Sequence, residues 1–234
     1  MLLKTQANSI GRIVAPVTCN NYGDLMGFYE ERILPHLIDR ACSVGQIMKL
    51  RQQVVPEARG VVLEVGMGSG INLQFYKPDS VELVYGLEPS EGMRRKATAN
   101  LARSAVKVEW LDLPGEKIPL ADESVDTVLL TFTLCTIPDW NAALQQMKRV
   151  LKPEGVLLFL EHGESPDAGT QKWQHRITPG WRKIAGGCHL NRHIADLISS
   201  AGFEITELEN LYVPKTPRIA GYIYKGRATK PTEA

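Results

Sequence analysis

The sequence predicts an α/β protein built on a mostly parallel sheet, and three observations predict it. Apolar runs of strand length alternate with stretches of helical periodicity. The first run, Val61-Val62-Leu63-Glu64-Val65, closes in the glycine-rich turn Gly66-Met67-Gly68-Ser69-Gly70. The last two runs are joined by a connection too short to be a parallel crossover.

The elements follow in order. Leu25, Phe28, Tyr29, Ile33, Leu34, Leu37 and Ile38 recur at helical spacing and continue with breaks to Leu50, which predicts an N-terminal helical cap over residues 1–57. A strand over 60–65 opens the core at 58–234, and a helix is expected after Gly70. A strand over 83–88 leads to a helix opened by Ser90 with Glu91 in its first turn, and a short strand over 107–111 follows. A buried apolar strand over 127–132 precedes a helix capped by Asp139, with a turn at Pro153-Glu154-Gly155 and a strand over 156–161. A helical insertion around 165–190 carries Trp173 and Trp181 and is broken at Ile177-Thr178-Pro179-Gly180. Asn191 then caps a helix that stops at Gly202. Strands over 203–212 and 219–225 flank Pro214-Lys215-Thr216-Pro217, a hairpin connection.

At 234 residues, with 44% hydrophobic and 23% charged content, the chain can bury a full core. A formal charge of +1 and the lack of any basic run disfavour nucleic acid as a partner. Cys19, Cys42, Cys135 and Cys188 show no CxxC spacing, so a reducing, cytoplasmic setting is expected. No segment has the length and apolarity of a membrane span, although peripheral membrane contact stays open. The sequence does not set the oligomeric state.

The glycine loop separates two kinds of nucleotide site. A nicotinamide fingerprint wants Gly-x-Gly-x-x-Gly, whereas Gly66, Gly68 and Gly70 follow Gly-x-Gly-x-Gly with Ile71 next. The loop also lacks the Lys-Ser/Thr pair of a phosphate loop.

Together with Gly86-Leu87-Glu88-Pro89-Ser90 and Leu151-Lys152-Pro153-Glu154-Gly155, this loop makes residues 58–226 resemble the class I S-adenosylmethionine-dependent methyltransferases. The resemblance implies a Rossmann-like three-layer sandwich with a seven-stranded, mostly parallel sheet whose last strand is antiparallel. It also implies an enzyme that moves a methyl group from S-adenosylmethionine to a small-molecule acceptor by in-line displacement. A nicotinamide-dependent oxidoreductase and a noncatalytic cofactor-binding module are the alternatives.

The resemblance brings Glu64 to the amino-acid end of the cofactor, directly or through water, while Gly66, Gly68 and Gly70 make room for it. Glu88 sits at the spacing at which a carboxylate accepts bonds from both ribose hydroxyls. Pro89 and Met93 form an apolar wall beside the adenine. Asn72 is a candidate for the methionine carboxylate or a helix-start cap, and Thr131 and Phe132 lie at the carboxyl end of the fourth strand. Relatives often carry an adenine-binding aspartate where this chain has Pro114, so the Gly115 and Glu116 amides with Leu113 packing are expected to hold the ring instead.

Acceptor chemistry is expected near Glu161-His162 and in the segment Gly186 to His193. His162 is the candidate base, and His189 or Arg192 could bind an acidic group. No metal is expected: Cys188, His189, His193 and His175 lack a zinc spacing, and a metalloid site from Cys42, Cys135 and Cys188 has no sequence support. Tyr29-Glu30, Ile33-Leu34-Pro35, Glu161-His162 and Gly187-Cys188-His189 are similar to the thiol S-methyltransferase group, and the core motifs to ubiquinone and menaquinone biosynthesis methyltransferases. The mammalian thiol enzymes carry an apolar N-terminal membrane segment that is not seen here, so their location is not expected to transfer.

Overall fold

A computed structural model describes residues 29–111 and 115–231. Leu25 and Phe28 of the predicted cap, and Leu113 and Pro114 of the adenine segment, lie outside the described residues.

A π-helical turn, Tyr29–Ile33, leads into α1 (Leu34–Cys42), followed by α2 (Gly45–Val54) and a 3-10 turn, Val55–Glu57. The core then runs β1 (Gly60–Val65), β2 (Val81–Leu87), α3 (Glu91–Leu101), β3 (Val108–Leu111), β4 (Val125–Thr131), α4 (Trp140–Val150) and β5 (Leu151–His162). It ends with α5 (Ala168–Ile184), α6 (Ile194–Ser200), β6 (Glu204–Tyr212) and β7 (Tyr222–Thr229). The seven strands lie in the order β3-β2-β1-β4-β5-β7-β6, all parallel except β7, which runs antiparallel to both neighbours.

The near-continuous apolar strands reflect burial on both faces. In β5, Leu157 and Phe159 point into one core with Leu144, Met147 and Val150 of α4 and Ile194 and Ile198 of α6. Leu158 and Leu160 point into the other core, with Ile47, Leu50 and Val54 of α2. The sheet is thus closed on both sides, with its ligand-binding edge at the carboxyl ends of β1 and β4, where the winding direction reverses.

The caps at Ser90 and Asp139 form as expected, accepting from the Met93 and Ala142 amides at 3.3 and 3.0 Å. Other expectations are corrected. Instead of a full helix, only a 3-10 turn, Ile71–Gln74, follows Gly70, because Lys77-Pro78 and the start of β2 come too soon for more. The turn at Pro153-Glu154-Gly155 is absorbed into β5 as a bulge: Val125 pairs with Leu151 but Thr127 with Val156, so the extra residues protrude from the ladder. Asn191 does not cap α6; His193 holds that position, with no side-chain cap bond, and the Asn191 amide meets His175 Nδ1 at 3.1 Å. The break at 177–180 is absent, since α5 runs through Pro179. Among the described residues, no helix is long and apolar enough to cross a membrane.

Candidate functional site

At the carboxyl edge of β1, β2 and β4 lies a cavity of about 490 Å³, within the roughly 300–1,000 Å³ common for small-molecule sites. Its floor is the glycine loop. Gly66, Gly68 and Gly70 all have positive φ (70°, 59° and 72°), so successive left-handed steps fold the chain back on itself. Side chains are barred here on two counts. A Cβ on Gly66 would come within 2.2 Å of Thr133 Oγ1, and one on Gly68 would press Met93 Cε at 3.1 Å. Gly70 does not line the cavity; it makes room for Leu73 and for Ala97 of α3 instead.

Glu88, one residue past β2, lines the wall beside the loop. Its Oε2 accepts from the Gly68 amide (2.9 Å) and its Oε1 from the Ser90 amide (2.8 Å), which fixes the carboxylate while each oxygen keeps a further lone pair. Burial raises its pKa, and the two amides work against that rise. Pro89, Met93, Gly115, Glu116 and Ile137 continue this wall.

Beneath the loop, a buried polar network joins four elements. Asn72 donates to Glu64 Oε1 (2.7 Å) and to Thr131 Oγ1 (3.0 Å), and its carbonyl accepts from Arg51 Nη1 (2.7 Å). Tyr76 donates to Glu64 Oε2 (2.8 Å), and Arg51 Nη1 also reaches Thr131 Oγ1 (2.9 Å). Glu64 therefore sits behind the cavity wall with both oxygens engaged, and Asn72 serves the network rather than a backbone cap.

Burial lifts the Glu64 pKa to about 7, more than Tyr76, Asn72 and Arg51 can offset. A carboxyl whose pKa is raised on folding contributes stability that is fully present below about pH 4.5 and is lost as the pH rises through about 7, roughly 3 kcal/mol in all. Glu64→Gln removes the charge; its oxygen still accepts from Asn72, while its amide nitrogen donates to a Tyr76 hydroxyl that must turn to accept. Chemical unfolding at several pH values should show that much of the dependence between pH 4.5 and 7 vanish in this variant; an unchanged slope would assign it elsewhere.

Arg51 is the residue that sequence reasoning missed. It is 4% exposed, lines the cavity, and lies 5.2 Å from the Phe132 ring, while its Nε–H is buried without an acceptor among the described residues. One signal was available: Arg51 falls on the apolar stripe Ile47, Leu50 and Val54 of α2, where a solvated arginine does not belong. Phe132 itself has φ 58°, a backbone strain that a bulky residue tolerates only where its surroundings enforce it. Thr131 and Phe132 both line the cavity.

The roof is α1, through Leu34, Pro35, Ile38, Asp39 and Cys42. Asp39 fastens it by accepting from Ser69 Oγ (2.5 Å) and Lys96 Nζ (3.2 Å). Tyr29 donates to the Ile184 carbonyl (2.7 Å), tying this roof to the end of α5.

The expected acceptor residues lie behind the wall. His162 Nε2 meets Cys188 Sγ at 3.1 Å, and His162 stacks on Phe132 with ring centroids 6.4 Å apart. His189 Nδ1 faces the Cys135 carbonyl at 3.1 Å, and partial burial together with Arg192 lowers its pKa. Arg192 donates to the carbonyls of Leu134 and Ile137, so it holds the loop after β4. Neither histidine lines the cavity.

A parallel sheet with a reversed strand inserted before its edge, and a glycine loop with an acidic partner just past β2, set this fold apart from the dinucleotide arrangement 3-2-1-4-5-6. Residues 63–159 match the family described as Methyltransferase domain. The chain is 35% identical over 174 residues to thiol S-methyltransferase TMT1B of Rattus norvegicus, covering 70% of each chain. It is 30% identical over 141 residues to the ubiquinone/menaquinone biosynthesis C-methyltransferase UbiE of Syntrophotalea carbinolica, covering 57% of this chain and 60% of that one. Its fold matches a SAM-dependent methyltransferase of Thermotoga maritima with a TM-score of 0.60 at 25% identity, over 88% of this chain and 100% of the other. The chain belongs to the class I S-adenosylmethionine-dependent methyltransferases. It is an enzyme that methylates a small-molecule acceptor.

Proposed function

We propose that the acceptor is a small thiol, methylated on sulfur, with S-adenosylmethionine held in the cavity between Arg51 and Glu88. The observation that carries the thiol reading is that no imidazole or amine side chain lines the cavity. Of the charged residues lining it, Asp39 is engaged by Ser69 and Lys96, and Glu116 accepts from the Asp139 amide at 3.4 Å. Arg51 and Glu88 serve the cofactor in this reading, and no imidazole lines the space. A phenol or amine would need such a base, whereas a thiol with a pKa of about 8.5 supplies thiolate on its own. The likeness to a thiol S-methyltransferase over 70% of each chain supports the same choice.

When bound, S-adenosylmethionine supplies a sulfonium-activated methyl group, open to displacement in line with its carbon–sulfur bond. Arg51 lines the cavity, and its guanidinium gives the cofactor carboxylate a charged donor. Glu88 accepts from the ribose hydroxyls with the lone pairs that Gly68 and Ser90 leave free. Pro89, Met93, Gly115 and Ile137 pack the adenine, with Glu116 beside it. Leu34, Ile38 and Phe132 exclude water at the acceptor end, where an apolar thiol can approach the methyl.

This reading predicts a particular pH profile. With a series of thiols of different acidity, the midpoint of the rise in kcat/KM should track the pKa of each acceptor. A midpoint fixed at one pH across the series would reveal a base on the enzyme and contradict the reading.

A further inference from the structure

We propose that Cys135, His162 and Cys188 form a binding site for one thiophilic divalent cation of the Zn²⁺ type. The three come from separate segments: the loop after β4, the last residue of β5, and the loop between α5 and α6. The fold brings their sulfur, nitrogen and sulfur atoms within 4.8 Å of one another. Tetrahedral zinc, with bonds of about 2.3 Å to sulfur and about 2.0 Å to nitrogen, places its ligand atoms about 3.5 to 3.8 Å apart. Side-chain adjustments of about an ångström would therefore seat the ion.

One neighbour suits a metal-bound thiolate. Trp181 Nε1–H donates to Cys188 Sγ at 3.3 Å, the type of outer bond that steadies a metal-bound sulfur. Cys135 is buried and Cys188 is half-buried, so both sulfurs are shielded from solvent. Binding replaces the two thiol protons by one dication and releases both protons to solvent, so affinity must rise with pH.

The site has a structural consequence. Gly187 and Thr136, the chain neighbours of Cys188 and Cys135, line the cavity, and His162 stacks on Phe132 of its wall. A cation would clamp the α5–α6 loop to the ends of β4 and β5 and so fix the acceptor end of the cavity. No sequence spacing announces this set, because its members lie far apart along the chain. It differs from the Cys188, His189, His193 and His175 set that was considered on sequence grounds.

The test uses the full chain, reduced and freed of metal, titrated with Co²⁺ as a spectroscopic stand-in and then with Zn²⁺. Cofactor is left out, so the result is independent of the methyl-donor reading. One equivalent of Co²⁺ should give the intense visible absorption of a tetrahedral thiolate complex, and Zn²⁺ should bleach it. Cys135→Ser and Cys188→Ser should each weaken binding at least 100-fold and His162→Ala at least tenfold, with near-ultraviolet circular dichroism confirming that each variant is folded. No uptake by the folded wild-type chain, equal uptake by Cys135→Ser/Cys188→Ser, or a Cys135–Cys188 disulfide in protein purified without reductant would overturn the proposal.

Discussion

Replacing Arg51 with methionine should weaken S-adenosylmethionine binding about 10²- to 10³-fold in isothermal titration. The expectation follows from its place: the guanidinium is almost wholly buried, spends Nη1 on Asn72 and Thr131, and lines the cavity. Removing one member of a buried charged pair costs about 2–5 kcal/mol, mostly because the other charge is left without a partner. Arg51→Lys separates charge from geometry, since an ammonium keeps the positive charge but loses the planar fork. It should bind between wild type and Arg51→Met. If Arg51→Met binds with wild-type affinity, the cofactor carboxylate is not held there.

Glu88→Ala should lower cofactor affinity by about 10²- to 10⁴-fold, since hydrogen bonds to a charged group contribute about 1.5–3 kcal/mol each and two are proposed. The same change strips the Gly68 and Ser90 amides of their acceptor, which loosens the loop. Glu88→Gln addresses that second effect. It can still accept from one amide and one hydroxyl, so its loss should be smaller than that of the alanine variant. Equal affinity for wild type and Glu88→Ala would remove Glu88 from the ribose site.

Much of this architecture is legible in the chain because local chemistry and tertiary need coincide. Ser90 and Asp139 cap their helices by the rule their side chains obey anywhere. The glycines at 66, 68 and 70 announce left-handed backbone that few other residues tolerate. The turn chemistry at 214–217 announces a hairpin and hence the reversed β7, although the connection observed is longer, 213–221.

The misses have the opposite cause. Asn191 carries good capping chemistry, yet α6 starts three residues beyond it, and its amide turns to His175. Pro179 looks like a break, yet α5 continues through it, with Thr178 Oγ1 donating to the Gln174 carbonyl at 2.7 Å. At the site, Glu88 was legible because its spacing from the loop follows the sheet. Arg51 was not, because its partners Asn72 and Thr131 lie 21 and 80 residues away. The gathering of Cys135, His162 and Cys188 likewise depends on sheet topology, which no local pattern encodes. His162 shows the limit on the other side: its position after β5 was foreseen, but its ring nitrogen faces a sulfur and not the cavity.

The central claim is methyl transfer from S-adenosylmethionine to the sulfur of a small thiol. Its most direct test is to incubate the protein with S-adenosylmethionine carrying a deuterated methyl group and an alkyl thiol that also bears a hydroxyl and an amine, then to locate the label by mass spectrometry. The account predicts a trideuteromethyl thioether. Label found on oxygen or nitrogen while the thiol stays free, or no transfer by protein that binds the cofactor, would contradict it.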